Sequence, residues 1–277
     1  MRLLPNDRRR MVRRAAPRTA LWLAAGALSL IGVPAGSAAP ADPCRLGAEH
    51  GGHAFPVEGL DSSARCRLAS VVNDFTTTEI LGPTRTTVSP QLYEQLLDRP
   101  VLLAALANRL GLGAYRVVPR GPRGFWVDDG EGTRGVFTFE YRDPTRRIYH
   151  VDGSHEGRLF PRVMGKAVLF LSIRPAPVPD GRAGIEAAMV TYTRLNDPVL
   201  AGLVRLLRPL VSGVVTRTIT KGFSVANHLA DLITKEPERI AREVRTLPLL
   251  SPEEQATLLA LLPTPQLPRS EAAPSAP

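Results

Sequence analysis

From Tyr115 onward, apolar and polar residues alternate with a period of two. The runs Tyr115 to Pro119, Phe125 to Asp128, Gly135 to Arg142, Arg146 to His155, Met164 to Arg174 and Gly184 to Arg194 predict six β-strands. Turn residues separate them, among them Asp129-Gly130, Asp143-Pro144 and Pro175 to Gly181. Consecutive strands with short turns predict an antiparallel meander. The alternation also predicts which face is buried. Phe137, Phe139 and Tyr141 fall in one phase, as do Ala167, Leu169, Leu171 and Ile173 on a later strand and Ile185, Ala187 and Met189 on the last. Thr138, Glu140, Arg142, Lys166, Ser172 and Arg174 fall in the other, so one apolar face and one largely wet face are expected.

Ahead of the meander, Glu79 to Val88 is β-rich. Ser89-Pro90 then opens a helical stretch, which Arg99-Pro100 breaks in two and Gly111 ends. After the meander, Asp197-Pro198 caps a helical pattern that continues to Glu236, with an apolar stripe through positions 200, 203, 204, 207, 211, 214, 225, 226, 229 and 233. One long amphipathic helix is predicted, with a kink where Pro209 and Gly213 interrupt its front half. The fold class is therefore α+β, in the order strand, two helices, six strands, long helix. Asp61 or Ser62 caps a short helix carrying Cys66, and Ser251-Pro252-Glu253-Glu254 is a capping box that opens another helix.

The first residues change the picture of charge. Seven arginines precede residue 20, an apolar run follows from Thr19 to Val33, and small residues follow in GSAAPA. This reads as an export signal over residues 1–41, too short in its apolar part to span a bilayer. Asp7-Arg8-Arg9-Arg10-Met11-Val12 is similar to a twin-arginine signal. The formal charge of +9 is mostly a property of this leader, because residues 42–277 carry 28 basic against 25 acidic side chains. No basic stripe is left to argue for nucleic acid, and none is expected as a partner. The chain has two cysteines, Cys44 and Cys66, and in an oxidising compartment an isolated pair predicts a disulfide. It would pin an N-terminal extension over residues 42–75. The last residues, 263–277, are Pro, Ala and Ser with little to bury, and read as disordered.

The segments TRTTVSPQLYEQLLDRP and VTYTRLNDPVLAGLVRLL, placed at the entry and exit of this order of elements, resemble those of the START-like, helix-grip (SRPBCC) superfamily, which includes polyketide cyclase and dehydrase relatives. The resemblance covers Thr76 to Glu236. It implies a curved antiparallel sheet (β-α-α-β6) wrapped around the long C-terminal helix, with an apolar cavity between them; beyond its reach, residues 237–262 read as short helices. It also implies the binding or transfer of lipids, sterols or other hydrophobic small molecules. The lining expected on this basis is Phe137, Phe139, Tyr141, Leu169, Leu171 and Met189 from the sheet with Leu203, Leu207 and Val211 from the helix. A packed core of the same residues is the competing reading.

The expected partners are therefore a hydrophobic small molecule or lipid and a transient membrane contact, with no cofactor, no metal and no catalytic residue. His50 and His53, beside Glu49, lack a third ligand at a familiar spacing and read as a solvated loop. Asp128-Asp129-Gly130-Glu131-Gly132 lacks the spacing of a calcium loop and reads as a hairpin turn. Ser154 and His155 alternate to opposite faces, which argues against a nucleophile and base. His150, with Asp152 on the same strand face, is the candidate general base if a cyclase-, dehydrase- or hydrolase-like activity exists. Such an enzyme and a structural envelope protein are the alternatives to a binding protein.

Overall fold

The structure is a computed structural model that describes residues 42–157, 162–177, 183–199, 201–202 and 208–263, with residues 208–219 described by their backbone alone. Residues 1–41, expected to be an export signal, the C-terminal residues from 264 on, Leu203 and Leu207 lie outside the described residues, as does the side chain of Val211.

A hairpin of β1 (Glu49–His50) and β2 (His53–Ala54) precedes α1 (Ser62–Val72). The Asp61 carboxylate accepts a hydrogen bond from the Ala64 N–H and so starts that helix. Cys66 on α1 is joined to Cys44. The disulfide agrees with an oxidising, exported compartment. Then come β3 (Thr77–Thr86), α2 (Pro90–Asp98) and α3 (Pro100–Arg109). Ser89 caps α2, and the two helices part at Arg99 because Pro100 has no N–H to continue the first.

Six strands follow: β4 (Arg116–Arg120), β5 (Gly124–Asp128), β6 (Thr133–Asp143), β7 (Arg146–His155), β8 (Val163–Pro177) and β9 (Ala183–Leu195). The meander folds back so that β9 pairs with β3, which gives one antiparallel sheet in the order β3-β9-β8-β7-β6-β5-β4. The sheet is open, with β3 and β4 at its edges. Helix α4 (Arg208–Lys235) passes through Gly213 without a break, and α5 (Pro237–Arg245) and α6 (Pro252–Leu261) complete the chain. Ser251 and Glu254 make the reciprocal bonds of the capping box at the start of α6. The described protein is thus α+β, a seven-stranded antiparallel sheet with six helices.

Where β7, β8 and β9 meet α1, the second face of the sheet is buried as well, which corrects the expectation of a wet second face over that part. On the helical face, Leu171, Ile173, Ile185, Ala187 and Met189 pack with Leu92 and Tyr93 of α2, Leu102 and Leu106 of α3 and Leu229, Ala230 and Ile233 of α4. On the other, the N-terminal face, Ile148, Val168, Phe170 and Val190 pack under Phe55, Leu60, Ala64, Leu68 and Val71. The run from Val168 to Ile173 is almost continuously apolar because β8 is sandwiched, and each such side chain contributes about 1.5–3 kcal/mol on burial.

A second correction concerns Tyr141. The β6–β7 register slips between Phe139 and Tyr141, so Glu140 is an extra residue in β6. Phe139 stays on the helical face, in ring contact with Phe125 and Tyr149, while Tyr141 pairs with Ile148 and packs against the N-terminal layer. The bulge also aims Glu140 at α1, where Arg67 holds its buried carboxylate through bonds of 2.8 and 3.0 Å.

Candidate functional site

The helical face is where ligand-lining residues were expected, and its contents are uneven. Phe139, Leu171 and Met189 are buried in the packed core, Leu171 and Met189 against the same cluster as Leu229 and Ile233. Phe137 and Leu169 lie on the same face and are half-buried. Tyr141 is on the opposite face and leaves the set.

Cross-strand register extends the half-buried part. Phe125, Phe137, Val151 and Ala167 are successive partners across β5 to β8 and form an apolar row. The neighbouring row is Val127, Gly135, Gly153 and Gly165, so three adjacent strands carry no side chain there. A Cβ on Gly153 would sit 2.7 Å from the Arg134 carbonyl oxygen, so the strands approach too closely to accept one. Bare backbone beside an aromatic row leaves a low floor on this face.

At the other end of the face, sequence reasoning missed a buried charge. Arg147 is 1% exposed and lies next to Tyr149 in the apolar phase of β7. Its guanidinium donates to Asp98 Oδ1 at 3.1 Å and to the Arg146 carbonyl, and Glu94 lies at 3.6 Å. Its Nε has no hydrogen-bond partner among the described residues. Glu94 and Asp98 stand one turn apart on α2, so the cluster ties that helix to the sheet. The signal in the sequence was Arg147 in phase with Tyr149 and Val151, combined with carboxylates four residues apart on a helix. Burial pushes the Tyr93 phenol up to about 12 and raises the Tyr149 phenol as well, so both stay protonated. A cleft of about 240 Å3 opens beside Tyr93 and Glu94, walled by Pro90, Pro144, Thr145 and Ile173. It is smaller than the usual small-molecule site.

The other candidate residues are dispersed. His150 is on the N-terminal face, where burial lowers its pKa, with Glu140, Lys166, Asp152 and Arg67 as its charged neighbours. It does not reach the helical face. His50 is not in a solvated loop: it is 4% exposed, stacks on Phe170 at 4.0 Å, and bridges the Tyr192 hydroxyl and the Gly47 carbonyl. The glycines between the two histidines allow this, since Gly51 at φ 56 turns the hairpin onto Val190 and Ile80. His53 instead reaches Ser172 and Arg174. Asp128 and Asp129 accept the backbone N–H groups of Gly130, Glu131 and Thr133, which closes the predicted hairpin turn. His155 bonds the Thr133 side chain. Among the described residues, no group of three or more His, Cys, Asp or Glu is placed to hold a metal ion.

A scan against protein-family models finds no match, and no curated protein matches the chain in sequence.

Proposed function

We propose that the protein is exported and binds, without chemistry, a lipid-like hydrophobic ligand on the helical face beneath the long helix, as START-like helix-grip proteins do. The observation that carries this reading is the row of Phe125, Phe137, Val151 and Ala167 beside the glycine floor of Gly135, Gly153 and Gly165, apolar and outside the packed cluster. An apolar surface of this kind gains by taking up an apolar ligand. The order of elements supports the same reading: two short helices between β3 and β4, β9 paired back to β3, and α4 after β9.

A binding role is favoured over an enzyme by how the polar groups are used. Arg147 is paired to Asp98 and Glu94, and Tyr93 and Tyr149 are held protonated, so among the described residues these polar groups do not supply a base. The disulfide between Cys44 and Cys66 supports an oxidising destination.

The test is to produce the chain with its leader, recover it from the exported fraction and identify co-purifying lipid by mass spectrometry. Titration of a fluorescent fatty acid and a fluorescent sterol follows. Phe137→Ala, which truncates a half-buried ring, should weaken binding of the preferred probe about tenfold. A protein that carries no lipid and binds neither probe overturns the proposal.

A further inference from the structure

The N-terminal face is only half covered. Helix α1 and the β1–β2 hairpin lie over the rows that contain Ile148, Phe170 and Val190 and, next to them, Val168 and Tyr192. Two further rows of the same face run on with no layer above them among the described residues. One is Val118, Trp126, Val136, Asp152 and Lys166, and the other is Arg116, Asp128, Arg134, Ser154 and Met164. Val136 is 36% and Met164 49% exposed, and Trp126 and Val118 are partly so.

The charges on this surface are unevenly spent. Asp128 is paired to Arg134 at 3.0 Å and Asp152 to Lys166 at 3.9 Å. Arg116 and Arg120, four residues apart on the edge strand β4, project to this face on either side of Val118. Neither has a carboxylate within ion-pair distance among the described residues, and Arg116 lies over the Trp126 ring at 5.8 Å from its centre. The patch is therefore an indole with short apolar side chains, flanked by two uncompensated guanidiniums.

We propose that this patch is a docking surface for an anionic lipid bilayer. An indole beside cations suits the headgroup layer, where the ring stays amphipathic and guanidiniums meet phosphate. A second protein is a poorer occupant. Two rows across five strands span about 24 by 14 Å, on the order of 340 Å2, against roughly 800 Å2 per partner in a stable protein interface. Pro119 within β4 and the arginines at its two ends also discourage addition of another strand at that edge. The inference does not depend on a ligand at the helical face and stands or falls separately.

Trp126 reports on the surface directly, because the only other tryptophan in the sequence is Trp22 in the leader. The chain without its leader, residues 42–277, is the form to use. It is titrated with vesicles of phosphatidylcholine alone and of phosphatidylcholine mixed with phosphatidylglycerol, with a brominated lipid as quencher. The expected result is a blue shift and bromine quenching of Trp126 with the anionic vesicles only, weakened by salt. Arg116→Gln with Arg120→Gln should lower partitioning about 30-fold, at roughly 5-fold for each surface cation. Absence of binding to anionic vesicles, binding without quenching of Trp126, or binding unchanged in the double variant each overturns the proposal. A Trp126 shift that depends on protein concentration without lipid overturns it in favour of a second copy.

Discussion

Arg147 offers a test in which removing one side of an ion cluster has a different cost from removing the other. The guanidinium is buried, with side-chain exposure of 1%, while Glu94 and Asp98 are 42% and 32% exposed. In Arg147→Met, the two carboxylates left behind turn to water at little cost, and an apolar side chain of similar length fills the space and removes the orphan Nε. The loss should be within about 1 kcal/mol of zero, since apolar replacement of a buried charge is often neutral or stabilising. In Glu94→Gln with Asp98→Asn, the charge that remains is the one that cannot reach solvent. That should cost about 3–5 kcal/mol, the range for stranding a buried ion. Urea denaturation of the three proteins, with midpoints compared at constant m, reads the difference. If Arg147→Met loses as much stability as the double variant, the guanidinium is stabilising in its own right and the reasoning fails. The same variant bears on the ligand: a fatty acid probe that binds Arg147→Met like wild type shows that this arginine is no headgroup site.

Three further outcomes are expected. Thiol labelling of the denatured, unreduced protein should find no free thiol, and Cys66→Ser should cost about 3 kcal/mol, as opening a loop of this length does on chain entropy. Burial holds the His50 and His150 pKa values below the ordinary 6.5, so the unfolded chain takes up protons before the folded one does. Stability should therefore be full above about pH 7 and fall through pH 6.5 and below, by at most about 1.4 kcal/mol per pH unit for each histidine. A fall that is equally steep in His50→Gln would remove His50 as a cause. Gly153→Val, which forces β6 and β7 apart, should lower the thermal midpoint and weaken probe binding, whereas Ser154→Val next to it on the opposite face should leave binding unchanged.

Local physics made much of the fold legible in the sequence. Period-two alternation located all six strands of the meander, from Arg116 to Leu195, because each side-chain phase needs a consistent environment. Ser89, Pro100 and the Ser251–Glu254 box marked helix ends, because caps act on residues three or four positions away. The lone cysteine pair was sufficient to predict its own bond. Other features were settled by distant segments. A one-residue bulge at Glu140 moved Tyr141 to the other face, and what favours that bulge is Arg67, 73 positions away on α1. Part of the wet face was buried by a layer that begins before the domain inferred from the resemblance, where Phe55, Leu68 and the stacked His50 meet Phe170. The burial of Arg147 depends on α2, which brings Asp98 and Glu94 to it across the chain. Periodicity reports how a strand divides its own side chains, while burial of both faces, bulges and ion clusters depends on contacts between residues that are far apart in the chain.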